Sequence, residues 1–156
     1  MKTAIFPGSF DPITKAHMDL IERASRLFDQ VYICVGINAA KKTLLTAAQR
    51  EDLLQRIFKE DARIQVSSYT GLTVDYAREV QADAIIRGLR GPQDFEYERP
   101  IAQNNQQLNP RVETLFLISR PEFSHISSTI VREIHQYGGG LDHLVPPEVL
   151  EVLSSM

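Results

Sequence analysis

His17 stands three residues after Thr14, with Lys15 between them. If Thr14 caps a helix, both basic side chains fall in its first turn. That is the positive end of the helix dipole, where Asp or Glu is favoured. The pattern returns at Ser127-Ser128-Thr129, with Arg132 in or near the first turn of another helix. Hydroxyls, free helix amides and cations together suit a phosphate chain, because a helix N-terminus is a ready anion site. The plain alternative is that Lys15 and Arg132 point into water, at a cost of about a few tenths of a kcal/mol. Thr46-Ala47-Ala48-Gln49 serves as an internal control. It fits a capping box, in which Gln49 reaches back to the Thr46 amide. The helix ends at Thr14 and Ser127 offer no such closure, and one polyphosphate lying between them would resolve both. Arg87 and Arg90 flank Gly88 directly after an apolar run, a further phosphate-binding arrangement. Lys41-Lys42 is either an anion contact or a solvated pair. His125, His135 and His143 lack metal-site spacing, so no protein metal site is expected.

Apolar strand-like runs occupy residues 3–6, 31–37, 63–66, 84–86 and 112–118. Helical patterns alternate with them. His17, Leu20, Ile21, Ala24, Leu27 and Phe28 share one face at i, i+3, i+4 spacing. Further helices are expected over 46–58, about 73–80 and about 127–137, with a last one opened by Pro146-Pro147. Gly138-Gly139-Gly140 should stop the helix before it. Strand–helix alternation implies an open, doubly wound α/β fold, Rossmann-like, with about five parallel strands and helices on both faces. Ligands bind such folds beyond the carboxyl ends of the strands, at the switch in strand order.

The chain has 156 residues, which suits one domain spanning 1–156. Its net charge of −3 argues against a general nucleic-acid binder. Cys34, the only cysteine, lies in an apolar run and reads as a buried thiol, so no internal disulfide can form. No apolar run approaches the ~20 residues of a membrane helix, and Pro7-Gly8 interrupts the first apolar segment before a signal peptide could form. A cytoplasmic location without membrane partners is the expectation.

Gly8-Ser9-Phe10-Asp11-Pro12, followed by Thr14-Lys15-Ala16-His17, resembles the N-terminal signature of the nucleotidyltransferase superfamily, usually T/H-x-G-H. Ile126-Ser127-Ser128-Thr129 resembles its C-terminal signature. These two motifs do not choose among members. Ile86-Arg87-Gly88-Leu89-Arg90, then Asp94-Phe95-Glu96-Tyr97-Glu98, closely resembles the phosphopantetheine adenylyltransferase family. Lys41-Lys42 and the Gly-Gly then Pro-Pro ending agree with it. Ala16 departs from the family's glycine, Thr129 replaces a frequent serine, and Pro100 should kink or restart the helix that carries Glu98.

The resemblance implies adenylyl transfer from ATP to 4′-phosphopantetheine, giving dephospho-coenzyme A and pyrophosphate. It assigns His17 to the α-phosphate as the catalytic residue. Ser9, Lys41, Thr73 and Arg87 would serve the acceptor. ATP would meet Ser9, Phe10, His17, Gly88, Leu89, Arg90, Glu98 and the stretch Phe123, Ser124, His125, Ile126, Ser127, Ser128 and Thr129. Mg²⁺, carried mainly by the ATP phosphates, a homohexamer and feedback by coenzyme A are implied in the same way. The rivals are a transferase with another acceptor and a non-catalytic nucleotide-binding module. A dinucleotide oxidoreductase is disfavoured, because Gly-x-Gly-x-x-Gly is missing after the first strand.

Overall fold

The computed structural model describes residues 1–156. Five parallel strands form one sheet in the order β3-β2-β1-β4-β5. They are β1 (Thr3–Gly8), β2 (Gln30–Gly36), β3 (Ile64–Tyr69), β4 (Ala84–Leu89) and β5 (Glu113–Ile118). The connecting helices are α1 (Lys15–Ala24), α2 (Ala47–Phe58), α3 (Thr73–Glu79) and α4 (Pro92–Leu108). Helices α5 (Ser128–Gln136) and α6 (Pro147–Ser154) follow β5. The chain reverses direction across the sheet between β1 and β4, which is the switch point of a doubly wound fold.

Alternation along the strands builds two cores. Ala4, Phe6, Ile33, Val35, Ala84 and Ile86 turn to one face, where Leu20 and Ile21 of α1, Leu53 and Leu54 of α2, Val131 of α5 and Val149 of α6 cover them. Ile5, Cys34 and Ile85 turn to the other face, under Val74, Tyr76 and Ala77 of α3. Burial pushes the Cys34 thiol up to about 12, so it stays protonated and inert.

Strand ends differ from the sequence expectation in a way that shapes the site. β1 does not stop at Phe6 but continues through Pro7, which pairs in register with Cys34 of β2. On its other side β1 is in register with β4 only at Ala4 and Ile5, so the two strands part beyond that point. Pro7 has no N–H to lose there, and its carbonyl instead accepts from Arg87 Nη1 at 2.6 Å. β3 and β4 also run further than expected, to Tyr69 and Leu89. Helix α1 ends sooner, at Ala24, and Leu27 is left exposed.

Pro100 neither breaks nor restarts α4, which runs unbroken across it. The carbonyl that Pro100 deprives of a donor belongs to Glu96, an exposed residue on the outer side of α4. Glu98, on the inner side of the same helix, is only 8% exposed. Gly138 (φ 72°) stops α5 as expected. Gly139 N–H donates to the Ile134 carbonyl and Gly138 N–H to that of His135, a Schellman closure.

Candidate active site

Two cavities open at the carboxyl edge of the sheet, of about 320 and 430 Å³. They share Pro7 and Gly8 at the end of β1, Ser9 just after it, Arg87 on β4 and Glu98 on α4. The gap between β1 and β4 therefore joins them.

The first cavity is walled by Lys41 and Thr43 after β2, by Arg50 on α2, by Tyr69 and Thr73, and by Tyr97 and Asn105 on α4. Thr73 is fixed by a 2.8 Å hydrogen bond to the Tyr69 hydroxyl. The second cavity takes Phe10, Thr14, Ala16, His17 and Leu20 from the α1 side, and Gly88, Arg90 and Asp94 from the β4 side. Ser119, Ile126, Ser127, Ser128, Thr129 and Arg132 complete it. The openings of α1 and α5 thus face one space, as the phosphate reading requires. Ser128 Oγ donates to the Pro12 carbonyl at 2.8 Å, and Arg132 Nη1 donates to the Asp11 carbonyl at 2.7 Å.

The two helix ends are nevertheless not open, which corrects the sequence argument. Thr14 and His17 form their own capping box. The Thr14 hydroxyl accepts from His17 N–H at 3.4 Å, and His17 Nδ1 accepts from Thr14 N–H at 3.1 Å. A histidine ring nitrogen here does the work usually done by Glu or Gln at that position. Ser127 Oγ accepts from Ile130 N–H at 3.2 Å. Lys15 turns away, donating from Nζ to the Asp142 carbonyl at 2.7 Å. What marks the site is the shared cavity and its cations, not uncapped helices.

The capping box also fixes the chemistry of His17. A backbone N–H can only donate, so Nδ1 is the unprotonated nitrogen and Nε2 carries the proton of the neutral ring. Burial pushes the imidazole down to about 4, and the charges of Arg87 and Arg90 push it the same way. The ring packs edge-on against Phe10 with centroids 5.3 Å apart. His17 thus presents one neutral Nε2–H donor on the wall it lines.

Arg87 is clamped by Glu98 through two hydrogen bonds, of 2.6 and 3.0 Å. Arg90 is held by Asp94, whose carboxyl it keeps below the usual carboxylate range. Gly88 lies where a Cβ would stand 2.3 Å from Leu20 Cδ1, so the strand end admits only glycine without a shift.

Most of the sequence candidates meet at these cavities. Lys41, Thr73, Arg87 and Ser9 line the first. Ser9, Phe10, His17, Gly88, Arg90, Glu98 and residues 126–129 line the second. Leu89, Phe123, Ser124 and His125 are not on either wall. Leu89 offers its carbonyl to Ser119 N–H, Phe123 leans on the core, Ser124 Oγ bonds the Pro121 carbonyl, and His125 is exposed. Sequence reasoning missed Arg50, Ser119, Tyr97 and Asn105. Arg50 carried a readable signal, a cation in the first turn of α2, the same mark used for Lys15 and Arg132.

Residues 5–134 match the family described as Cytidylyltransferase-like. A phosphopantetheine adenylyltransferase of Streptomyces coelicolor is 47% identical over 154 residues, covering 99% of this chain and 96% of its own. Another, from Shouchella clausii, is 47% identical over 156 residues, covering 100% and 98%. The chain belongs to the phosphopantetheine adenylyltransferase family. A crystal structure from Vibrio parahaemolyticus, solved as a candidate nicotinate-nucleotide adenylyltransferase, shares the fold with TM-score 0.76. It covers 99% of both chains at 24% identity. The segments that carry the resemblance each contribute to the two joined cavities: Gly8, Ser9, Phe10, Thr14, Ala16 and His17 on the α1 side, Arg87, Gly88, Arg90, Asp94, Tyr97 and Glu98 on the β4 and α4 side, and residues 126–129 at the start of α5.

Proposed function

We propose that this member of the family transfers the adenylyl group of ATP to 4′-phosphopantetheine, releasing pyrophosphate and forming dephospho-coenzyme A. The observation that carries this reading is the junction: two cavities meet at Ser9, Arg87 and Glu98, beside the neutral ring of His17. ATP occupies the second cavity, with its phosphates toward Ser127, Ser128, Thr129 and Arg132. The acceptor occupies the first, with Lys41, Thr73 and Arg87.

A phosphate oxygen of the acceptor attacks the α-phosphorus, forming a P–O bond as the bond to the departing pyrophosphate breaks. The second pKa of a phosphate monoester is about 6, so the nucleophile is already ionised at neutral pH and no general base is required. The protein's part is alignment and charge stabilisation. His17 donates from Nε2 to an α-phosphate oxygen as charge builds there, and bound phosphate raises the ring's basicity and strengthens that bond. Asp94 and Glu98, the acids lining the second cavity, are both engaged by arginines. That donor set does not suit a resident cation, so Mg²⁺ enters as part of the ATP substrate.

Self-association as a homohexamer and feedback by coenzyme A, which shares the acceptor's pantetheine arm, belong to the same proposal, as does action in the cytoplasm. The sheet-edge strand β5 leaves Leu115 and Ile118 exposed on opposite faces, apolar side chains that a neighbouring subunit could cover. The test is pyrophosphate release by the purified protein with ATP, Mg²⁺ and 4′-phosphopantetheine, beside a panel of other phosphorylated acceptors and CTP. Turnover with 4′-phosphopantetheine and ATP is expected. Faster turnover with another acceptor would replace the assignment.

A further inference from the structure

Arg50 is 4% exposed and lines the first cavity, yet no acidic side chain pairs with it. Its partners are two backbone carbonyls: Nη1 donates to Ser9 at 2.7 Å and Nε to Thr46 at 3.4 Å. A guanidinium carries five N–H donors, so most of its capacity and its whole charge are left over. Charges removed from water are ordinarily paired, because carbonyl dipoles only partly replace hydration. Ser119 Oγ is the one fully enclosed side-chain polar atom that lacks a partner. The unbonded Arg50 nitrogen, Nη2, therefore reaches open space, and the space Arg50 lines is the first cavity.

The other cations of that cavity are disposed differently. Arg87 has its charge balanced by the two-pronged bond to Glu98. Lys41 is exposed and, like Arg50, has no acidic partner. Arg50 is moreover tied to the carbonyl of Ser9, a residue shared by both cavities. An acceptor phosphate must stand at that junction to reach an α-phosphorus in the second cavity. We propose that Arg50 binds the phosphate group of the acceptor substrate, from within the fold and together with Lys41, as a cation that the protein itself leaves unpaired. This rests on the two-cavity reading of the function above.

The test compares Arg50→Gln and Arg50→Lys with the wild type in steady-state kinetics, calorimetric binding and thermal unfolding. Loss of a charge-assisted contact should raise the KM for 4′-phosphopantetheine roughly 10- to 100-fold in Arg50→Gln. The KM for ATP should stay within about twofold. Arg50→Lys keeps the charge without the fork and should recover only part of the loss, leaving the acceptor KM several-fold above that of the wild type. Pantetheine without its phosphate should bind wild type and Arg50→Gln equally. Equal losses toward phosphorylated and unphosphorylated ligand, or equal rises in both KM values, would make Arg50 a structural residue and overturn the proposal. If Arg50→Gln does not fold, Arg50→Lys decides: an acceptor KM unchanged at all salt concentrations refutes the contact. If the wild type fails to turn over 4′-phosphopantetheine, the functional reading falls separately. Inorganic phosphate, added with the second cavity filled by ATP, then still tests Arg50. It should raise the melting temperature of the wild type but not of Arg50→Gln, and an equal rise in both would refute the site.

Discussion

Replacing His17 by Asn separates the two jobs of its ring. The Asn side-chain oxygen can stand where Nδ1 stands and accept from Thr14 N–H, but nothing replaces the Nε2–H. Folding at neutral pH should therefore survive to within about 1 kcal/mol, since the helix cap is kept. Turnover should fall roughly 10²- to 10³-fold, the cost of one donor aimed at developing charge. A second consequence concerns pH. The fold holds the ring near 4, whereas a free histidine titrates at 6.5. As pH falls from 7, the unfolded chain takes up this proton first, and the folded protein takes it only near 4. The stability that the neutral ring allows is fully present above pH 6.5 and is lost progressively down to about 4. The full gap is worth at most about 3 kcal/mol, and partial exposure of the ring reduces it. Urea unfolding of both proteins at pH 7 and pH 4.5 isolates this share, because carboxylate titration is common to both. His17→Asn should lose less stability on acidification than the wild type, by about 1–3 kcal/mol. Equal acid sensitivity would mean the ring is not held neutral, and wild-type turnover in His17→Asn would remove Nε2 from the reaction.

Gly88→Ala puts a methyl 2.3 Å from Leu20 Cδ1, and Leu20 lines the second cavity. Overpacking of this kind costs about 1–3 kcal/mol, and the displaced leucine should raise the KM for ATP more than that for the acceptor. A variant with wild-type melting temperature and ATP KM would show that the wall yields freely. Ser119→Ala deletes an enclosed hydroxyl that has no partner. It should leave stability unchanged or raise it by up to about 1 kcal/mol, read as an upward shift in melting temperature. A clear downward shift would reveal a partner for that hydroxyl in solution.

The sheet was legible because its strands are short apolar runs separated by amphipathic helices, and that period is local. Strand ends were less so. Pro7-Gly8 reads as a breaker, but the chain stays extended because the missing N–H faces the gap where β1 and β4 separate. Pro100 misled for a related reason: its cost depends on whether the freed carbonyl meets water, a tertiary fact. His17 was found through its neighbours, though its capping role was not, since histidine is not the usual partner in such a box. Ser119 escaped because its significance lies in what fails to pair with it, and the first-turn position of Arg50, though legible, did not show that no carboxylate meets it. A sequence shows which charges exist, whereas only packing shows which are left unbalanced.

One short segment explains how two cavities built from distant parts of the chain keep a common geometry. Asp11 is buried, and its two carboxylate oxygens accept from the backbone N–H groups of Leu44 and Leu45 at 2.8 Å each. Those residues anchor the loop that brings Lys41 and Thr43 to the first cavity. Its carbonyl accepts from Arg132, and the next carbonyl, of Pro12, accepts from Ser128, so the same turn also fixes the mouth of α5 at the second. Two residues earlier, the Ser9 carbonyl holds Arg50. Residues 9–12 therefore bond to three of the elements around the junction: the loop before α2, α2 itself and α5. A carboxylate satisfied by two amides is well suited to this, because charged acceptors give the stronger hydrogen bonds and their directions fix the loop. The relative placement of the loop before α2, of Arg50 and of the mouth of α5 is thereby set within one turn of chain, rather than across a flexible interface.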